Sequence, residues 1–121
     1  MPLEEIINRQ GIIISAPASG AGKTTVTLGL INAFARKGSV QPFKSGPDYI
    51  DSKFQSVAAD RPSYNLDTWA MSSSDILNMI GMVGPSDICI AEGSMGLFDG
   101  VISKGAGGNG STADLASITN W

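Results

Sequence analysis

The sequence predicts an α/β fold with a mostly parallel sheet, and three observations carry that reading. Short apolar runs at residues 11–15 and 87–91 show no steady polar alternation, the pattern of strands covered on both faces, and residues 40–44 read as a further strand. Segments with helical spacing separate them. The runs also end in glycine, serine or acidic residues, the kinds that collect beyond the carboxyl ends of parallel strands.

Residues 1–10 allow a short lead-in helix. Residues 11–15 then read as a strand buried on both faces. After a glycine-rich loop, Val26, Leu30, Ile31 and Phe34 form one apolar helical stripe that starts near Thr25, and Gly38 is its stop. Residues 40–44 are a second strand. Residues 52–59 are expected to make one or two helical turns, residues 61–65 an irregular connection, and residues 66–69 a return to ordered structure. Ser72 with Asp75 three positions on predicts a capped helix carrying Ile76, Met79, Ile80 and Val83. Gly84-Pro85 ends it. Residues 87–91 are the third strand, with Cys89 as a core residue and Glu92 directly after it. Seven glycines between Gly93 and Gly110 predict a loop rather than a packed element, and Ser111 to Asp114 opens a last helix through about Ile118. Such sheets usually hold five or more strands, so these residues are expected to be the N-terminal portion of a larger domain.

The loop Ala16-Pro17-Ala18-Ser19-Gly20-Ala21-Gly22-Lys23-Thr24-Thr25 carries the strongest chemical signal. Its glycines let several N–H groups face one anion, and the helix behind adds its positive end. Ser19, Gly20, Ala21, Gly22, Lys23, Thr24 and Thr25 are therefore the expected nucleotide-binding residues, with Lys23 reaching the outer phosphates and Thr24 offering its hydroxyl to Mg²⁺. Pro17 stands where the commonest form of this loop has its first glycine. A strand, a glycine loop and a helix in this order make a P-loop NTPase-like three-layer fold. Glu92, at the end of a strand near that loop, is placed to hold Mg²⁺ directly or through water. Asp48 and Asp51 bring two carboxylates into one tight loop, which calls for a cation beside them. Lys44 ends a strand at the same edge. Ser111 and Thr112 open a helix, where simple capping competes with binding a carboxylate or phosphate.

Composition narrows the chemistry. The 121 residues are 42% apolar and 16% charged with a net charge of −3, which suits a packed core and offers nucleic acid no attraction. No apolar run approaches the roughly 18 residues of a membrane span, the N-terminus lacks a signal pattern, and a single cysteine excludes a disulfide framework. A cytoplasmic location is the expectation. Histidine is absent, so no Ser-His or Cys-His nucleophile exists within these residues and zinc lacks its commonest ligand. Carboxylates, lysines, hydroxyls, amides and a bound cation are left.

Five segments together resemble the N-terminal domain of the cobyrinic and hydrogenobyrinic acid a,c-diamide synthases. They are residues 16–25, Phe43-Lys44-Ser45-Gly46-Pro47-Asp48-Tyr49-Ile50-Asp51, Asn65-Leu66-Asp67-Thr68-Trp69, Glu92 through Gly100, and Ser111-Thr112-Ala113-Asp114-Leu115-Ala116. Ser45 and Ser94 depart slightly from the pattern. The resemblance implies a dethiobiotin-synthetase-like enzyme in which ATP–Mg²⁺ phosphorylates acetate side chains a and c of a corrin, and ammonia then displaces phosphate. It implies catalytic roles for Lys23, Asp48, Tyr49, Asp51, Glu92 and Asp99. Thr24, Asp48 and Glu92 would surround Mg²⁺, and Tyr49, Asp51 and Asp99 would line the side where ammonia arrives. Ser111 and Thr112 would seat a substrate carboxylate. It also implies ammonia drawn from glutamine by a C-terminal amidotransferase domain that these residues do not contain, so the fragment alone is expected to be inactive.

Three rivals stay open at this point, one of them a non-catalytic nucleotide-binding module. A Ni-sirohydrochlorin a,c-diamide synthase would carry the same motifs. A partition-type P-loop ATPase would carry a lysine early in the loop, where Ala18 stands here, and usually a basic amphipathic tail. The sequence leaves a homodimer open.

Overall fold

The computed structural model describes residues 2–18 and 20–121. In chain order the elements are α1 (Leu3–Ile7), β1 (Gly11–Ile14), α2 (Lys23–Ala35), β2 (Val40–Ser45), α3 (Tyr49–Ala59), β3 (Tyr64–Leu66), α4 (Ser73–Met82), β4 (Ile88–Glu92) and α5 (Thr112–Thr119). The four strands form one all-parallel sheet in the order β1-β4-β2-β3. Helices cover both faces, which gives the three-layer α/β architecture that the strand runs predict.

Alternate residues of the central strands feed opposite cores. Phe43, Cys89 and Ala91 join Ile6, Leu66, Ile76, Ile80 and Leu115 under α1, α4 and α5. Val40 and Ile90 join Ile31, with Leu30, Ala58 and Ala59 packed alongside, under α2 and α3. Each large side chain fully removed from water here contributes about 1.5–3 kcal/mol. Cys89 is buried as expected, and burial pushes its thiol up from its ordinary value. The Trp121 ring lies over β1, tilted against Phe43 at 5.8 Å between centroids, with its indole N–H on Arg9 O at 2.9 Å. Only glycine fits at position 11, because a Cβ there would enter that ring.

Several expectations need correction. The described residues hold four strands, not three: residues 64–66 pair with β2 as a short edge strand. Strand β1 is the other edge of the described sheet and is only partly buried, with Ile12 exposed. The apolar stripe of α2 is not one face: Ile31 is buried, whereas Val26 and Phe34 face solvent and Thr27 takes the inward position. Burial there is possible because the Thr27 hydroxyl donates to Lys23 O at 2.7 Å. Helix α3 starts at Tyr49 and runs for 11 residues, so residues 48–51 are its cap and first turn rather than a loop. The Ser72–Asp75 capping box is formed as predicted. Residues 93–110 hold no helix or strand but are tied to the 67–71 turn, through Ala106 N on Trp69 O and Gly107 N on Thr68 O.

Candidate functional site around the phosphate loop

The parallel register assembles the site. It sets Glu92, the last residue of β4, beside Ile14 of β1 and Lys44 of β2. Beyond β1 the chain enters the glycine loop, where Gly20 and Gly22 have φ of +80° and +87°, a region that side chains with a Cβ rarely adopt. Gly22 caps α2 with no side-chain acceptor, so the first-turn amides have no competing internal oxygen on the cap. An anion suits that position.

Glu92 is completely buried and is the hub of the cluster. Its Oε1 accepts from Lys23 Nζ at 2.9 Å and Thr24 Oγ1 at 2.7 Å, and lies 3.5 Å from Lys44 Nζ. Its Oε2 accepts from Gln55 Nε2 at 2.9 Å. Lys44, itself buried, also pairs with Asp51 at 3.3 Å and donates to Gly93 O at 3.2 Å. Two lysines therefore face two carboxylates, and no charge is stranded in the interior, where an unpaired one would be costly.

These partners set protonation. Burial works against the Glu92 charge, yet the bonds from Lys23 and Thr24 and the charges of Lys44 and Lys23 outweigh it and hold the carboxyl below its ordinary range. Asp48 is lowered too: a modest burial effect in the opposite direction is overcome by the Asp51 and Ile50 amides and the Lys44 charge. Carboxyls lowered by folding stabilise the protein above their unfolded values, about 4.3 for Glu and 3.9 for Asp, and that stability is lost as pH falls through the folded values. Chemical denaturation between about pH 6 and pH 3 should accordingly show a plateau down to about pH 4.3 and a decline below it. A flat profile to pH 3 would contradict the pairing.

Lys23, Thr24, Gly20, Gly22, Thr25, Asp48 and Asp51 line one open hollow of about 620 Å³, with Lys44, Ser45 and Met95. Asp48 does so as the cap of α3, its Oδ1 accepting from Ile50 N at 3.0 Å and Asp51 N at 3.2 Å. Ala21 is exposed on the same loop, and Ser19 lies outside the described residues. Tyr49 is 69% exposed and borders a neighbouring hollow with Tyr64 and Asn65 instead. Asp99 accepts from Gly96 N at 2.9 Å and lines a third hollow with Pro47, Asp67, Trp69, Ser94 and Met95. Pro47 borders all three hollows and Ser94 and Met95 border two of them, and Met95 has a left-handed φ of 47°. Ser111 and Thr112 are buried and internally bonded: Ser111 Oγ accepts from Asp114 N, and Thr112 Oγ1 accepts from Ser94 N. Their hydroxyls serve the cap and the glycine loop, not the phosphate-loop hollow.

A family model described as the CobQ/CobB/MinD/ParA nucleotide binding domain matches residues 12–115. The chain belongs to this family. Relatives of this nucleotide-binding domain include the hydrogenobyrinate a,c-diamide synthase of Rhodobacter capsulatus, 50% identical over 113 residues, 93% of this chain and 26% of that protein. The Rhizobium meliloti enzyme of the same name is 48% identical over 109 residues, 88% of this chain and 24% of that protein. The Brucella ovis one is 48% identical over 112 residues, 90% and 25% respectively. The chain thus spans about a quarter of the length of these relatives. No solved structure matches it. Among the described residues, no helix is long and apolar enough to cross a membrane.

Two residues of this cluster carry little signal in the sequence. Lys44 reads only as the end of a strand at the same edge, because nothing local reveals that its neighbour in the sheet is Glu92. Gln55 carried no signal at all: a neutral amide on a helix looks like a surface residue, yet it is fully buried.

Proposed function

We propose that the full-length protein amidates the a and c acetate side chains of hydrogenobyrinic or cobyrinic acid, using ATP and Mg²⁺ through an acyl phosphate. Ammonia would come from glutamine through a further amidotransferase domain. The observation that carries this is the convergence of Lys23, Thr24, Asp48 and Asp51 around one hollow, with the buried Glu92 bonded to Lys23 and Thr24 behind it, in a domain about half identical to hydrogenobyrinate a,c-diamide synthases.

The chemistry asks for positioning and charge compensation rather than a protein nucleophile. A substrate carboxylate oxygen attacks the γ-phosphorus and the bond from that phosphorus to ADP breaks. Ammonia then adds to the acyl carbon, phosphate leaves with the carbon–oxygen bond pair, and a proton is lost. Lys23 and the loop amides would hold the β- and γ-phosphates, with Lys23 exchanging Glu92 for phosphate oxygen. Lys44 would offset the charge of Glu92 and Asp51 during that exchange.

The donor set fits Mg²⁺. Thr24 Oγ1 and Glu92 Oε1 are hard oxygens 2.7 Å apart, and Asp48 borders the same space. No group of three or more His, Cys, Asp or Glu side chains suited to a metal exists among the described residues. Mg²⁺ in phosphoryl-transfer sites relies on one or two carboxylates plus the phosphates, so none is needed. When bound, the ion would neutralise charge on the transferring phosphoryl group.

The test is a mass-spectrometric screen of the full-length protein with ATP and glutamine on hydrogenobyrinic acid, cobyrinic acid and Ni-sirohydrochlorin. Stepwise double amidation of the first or second is expected. Amidation of the third alone would move the substrate assignment, and ATP hydrolysis with no amidated product would refute the reading in favour of a partition-type ATPase.

A further inference from the structure

Glu92 reaches the nucleotide side of the site with one oxygen only. Lys23, Thr24 and Lys44 all gather on Oε1, whereas Oε2 points away and among the described residues is met by Gln55 alone. Gln55 is not free to swing. It is fully buried on α3, and its own Oε1 accepts from the Ser63 hydroxyl at 2.8 Å, while Ser63 N donates to Ser56 Oγ at 2.8 Å. The amide is thereby oriented with its NH₂ toward Glu92, and a chain of bonds runs from the α3–β3 connection to the carboxylate.

We infer that Gln55 is a positioning residue that fixes the plane of the Glu92 carboxylate and keeps Oε1 aimed at the phosphate loop when Lys23 transfers to a nucleotide. The need arises from the exchange itself. In the resting arrangement three groups hold Oε1, but a γ-phosphate that captures Lys23 removes the shorter of its two cation contacts. Rotation of the carboxylate would then be opposed chiefly by Gln55 on Oε2 and Thr24 on Oε1. A neutral donor suits this task, since a cation at Oε2 would compete for the charge that the nucleotide side requires. The inference rests on the proposed reading of Glu92 as the Mg²⁺-side carboxylate, and it adds a residue from outside the phosphate-loop hollow.

The experiment uses the full-length protein and three variants, Gln55→Leu, Gln55→His and Ser63→Ala, each checked for folding by circular dichroism. Two readouts are taken: kcat and KM for ATP consumption, and ADP affinity by calorimetry with and without Mg²⁺. One hydrogen bond to a charged group supports a loss of about 10- to 100-fold. Gln55→Leu should lose that much kcat with KM for ATP changed by no more than about threefold, and should lose about tenfold in the Mg²⁺-dependent part of ADP affinity while metal-free affinity holds. Gln55→His, which restores a neutral N–H, should recover most of both. Ser63→Ala should lose about threefold, and it decides the matter if the Gln55 variants do not fold. A folded Gln55→Leu with kcat within about twofold of wild type, or a loss that His fails to recover, overturns the inference. Wild-type protein that hydrolyses ATP but amidates no tetrapyrrole would count against the proposed function, and the ADP readout would still judge Gln55.

Discussion

On the proposed reading, Glu92→Gln should lower turnover by about 10³-fold while leaving nucleotide binding intact, because it would remove a charge from the reacting phosphate side rather than a binding contact. The substitution keeps size and some hydrogen bonding, but it deletes the anion that holds Lys23 and neighbours Lys44. Breaking a buried pair by deleting one partner commonly costs about 3–5 kcal/mol. Here the loss should be smaller, about 1–3 kcal/mol, since Lys44 retains Asp51 and Gly93 O and Lys23 lines the open hollow, where water can meet its ammonium. Metal-free ADP should bind the variant as well as wild type or more tightly, for Lys23 no longer has to leave a carboxylate. Calorimetry and single-turnover kinetics on the full-length protein separate these effects. Weaker metal-free binding together with preserved turnover would show that Glu92 is a structural counter-ion and nothing more.

That arrangement was partly legible in the residues alone. The phosphate loop could be read because its chemistry is written in residue types: glycines where φ must be positive, then Lys23 and Thr24, then a helix. The buried strands could be read because β-branched runs have few other uses. Strand β3 could not, because three residues after Pro62 leave no room for a period to show. Asp48 looked like a ligand on a loop, and its second role as the cap of α3 was invisible until the backbone bonds were known. Thr27 and Gln55 mislead for one shared reason. Each is a polar residue whose burial depends on specific partners, Lys23 O for Thr27 and Glu92 with Ser63 for Gln55, and which residue is buried is settled by three-dimensional placement rather than by a hydrophobic pattern. The Lys44–Glu92 pairing depends likewise on β2 and β4 being neighbours in register, a fact of topology.

Lys44→Met is the variant that tests whether that topology serves chemistry. Met retains length and apolar bulk, so the cavity left behind is small, and Glu92 still has Lys23, Thr24 and Gln55. Asp51 loses its ion-pair partner but its side chain is 22% exposed and can be rehydrated. The resting protein should therefore lose only about 1–2 kcal/mol, well short of the 3–5 kcal/mol expected when a buried charge is stranded. The larger penalty belongs to the nucleotide-bound state. Once Lys23 has gone to phosphate, Lys44 is the one remaining cation within reach of Glu92 among the described residues, and without it the carboxylates of Glu92, Asp51 and Asp48 face an incoming polyphosphate. Turnover should fall by about 10²- to 10³-fold, with ATP affinity weakened as well, and the defect should be steeper at low Mg²⁺ than at high. Lys44→Arg should not restore it, because a planar fork cannot replace a compact ammonium between Glu92, Asp51 and Gly93 O. A stable Lys44→Met protein with normal kcat and an unchanged Mg²⁺ requirement would reduce Lys44 to a counter-ion of the resting fold.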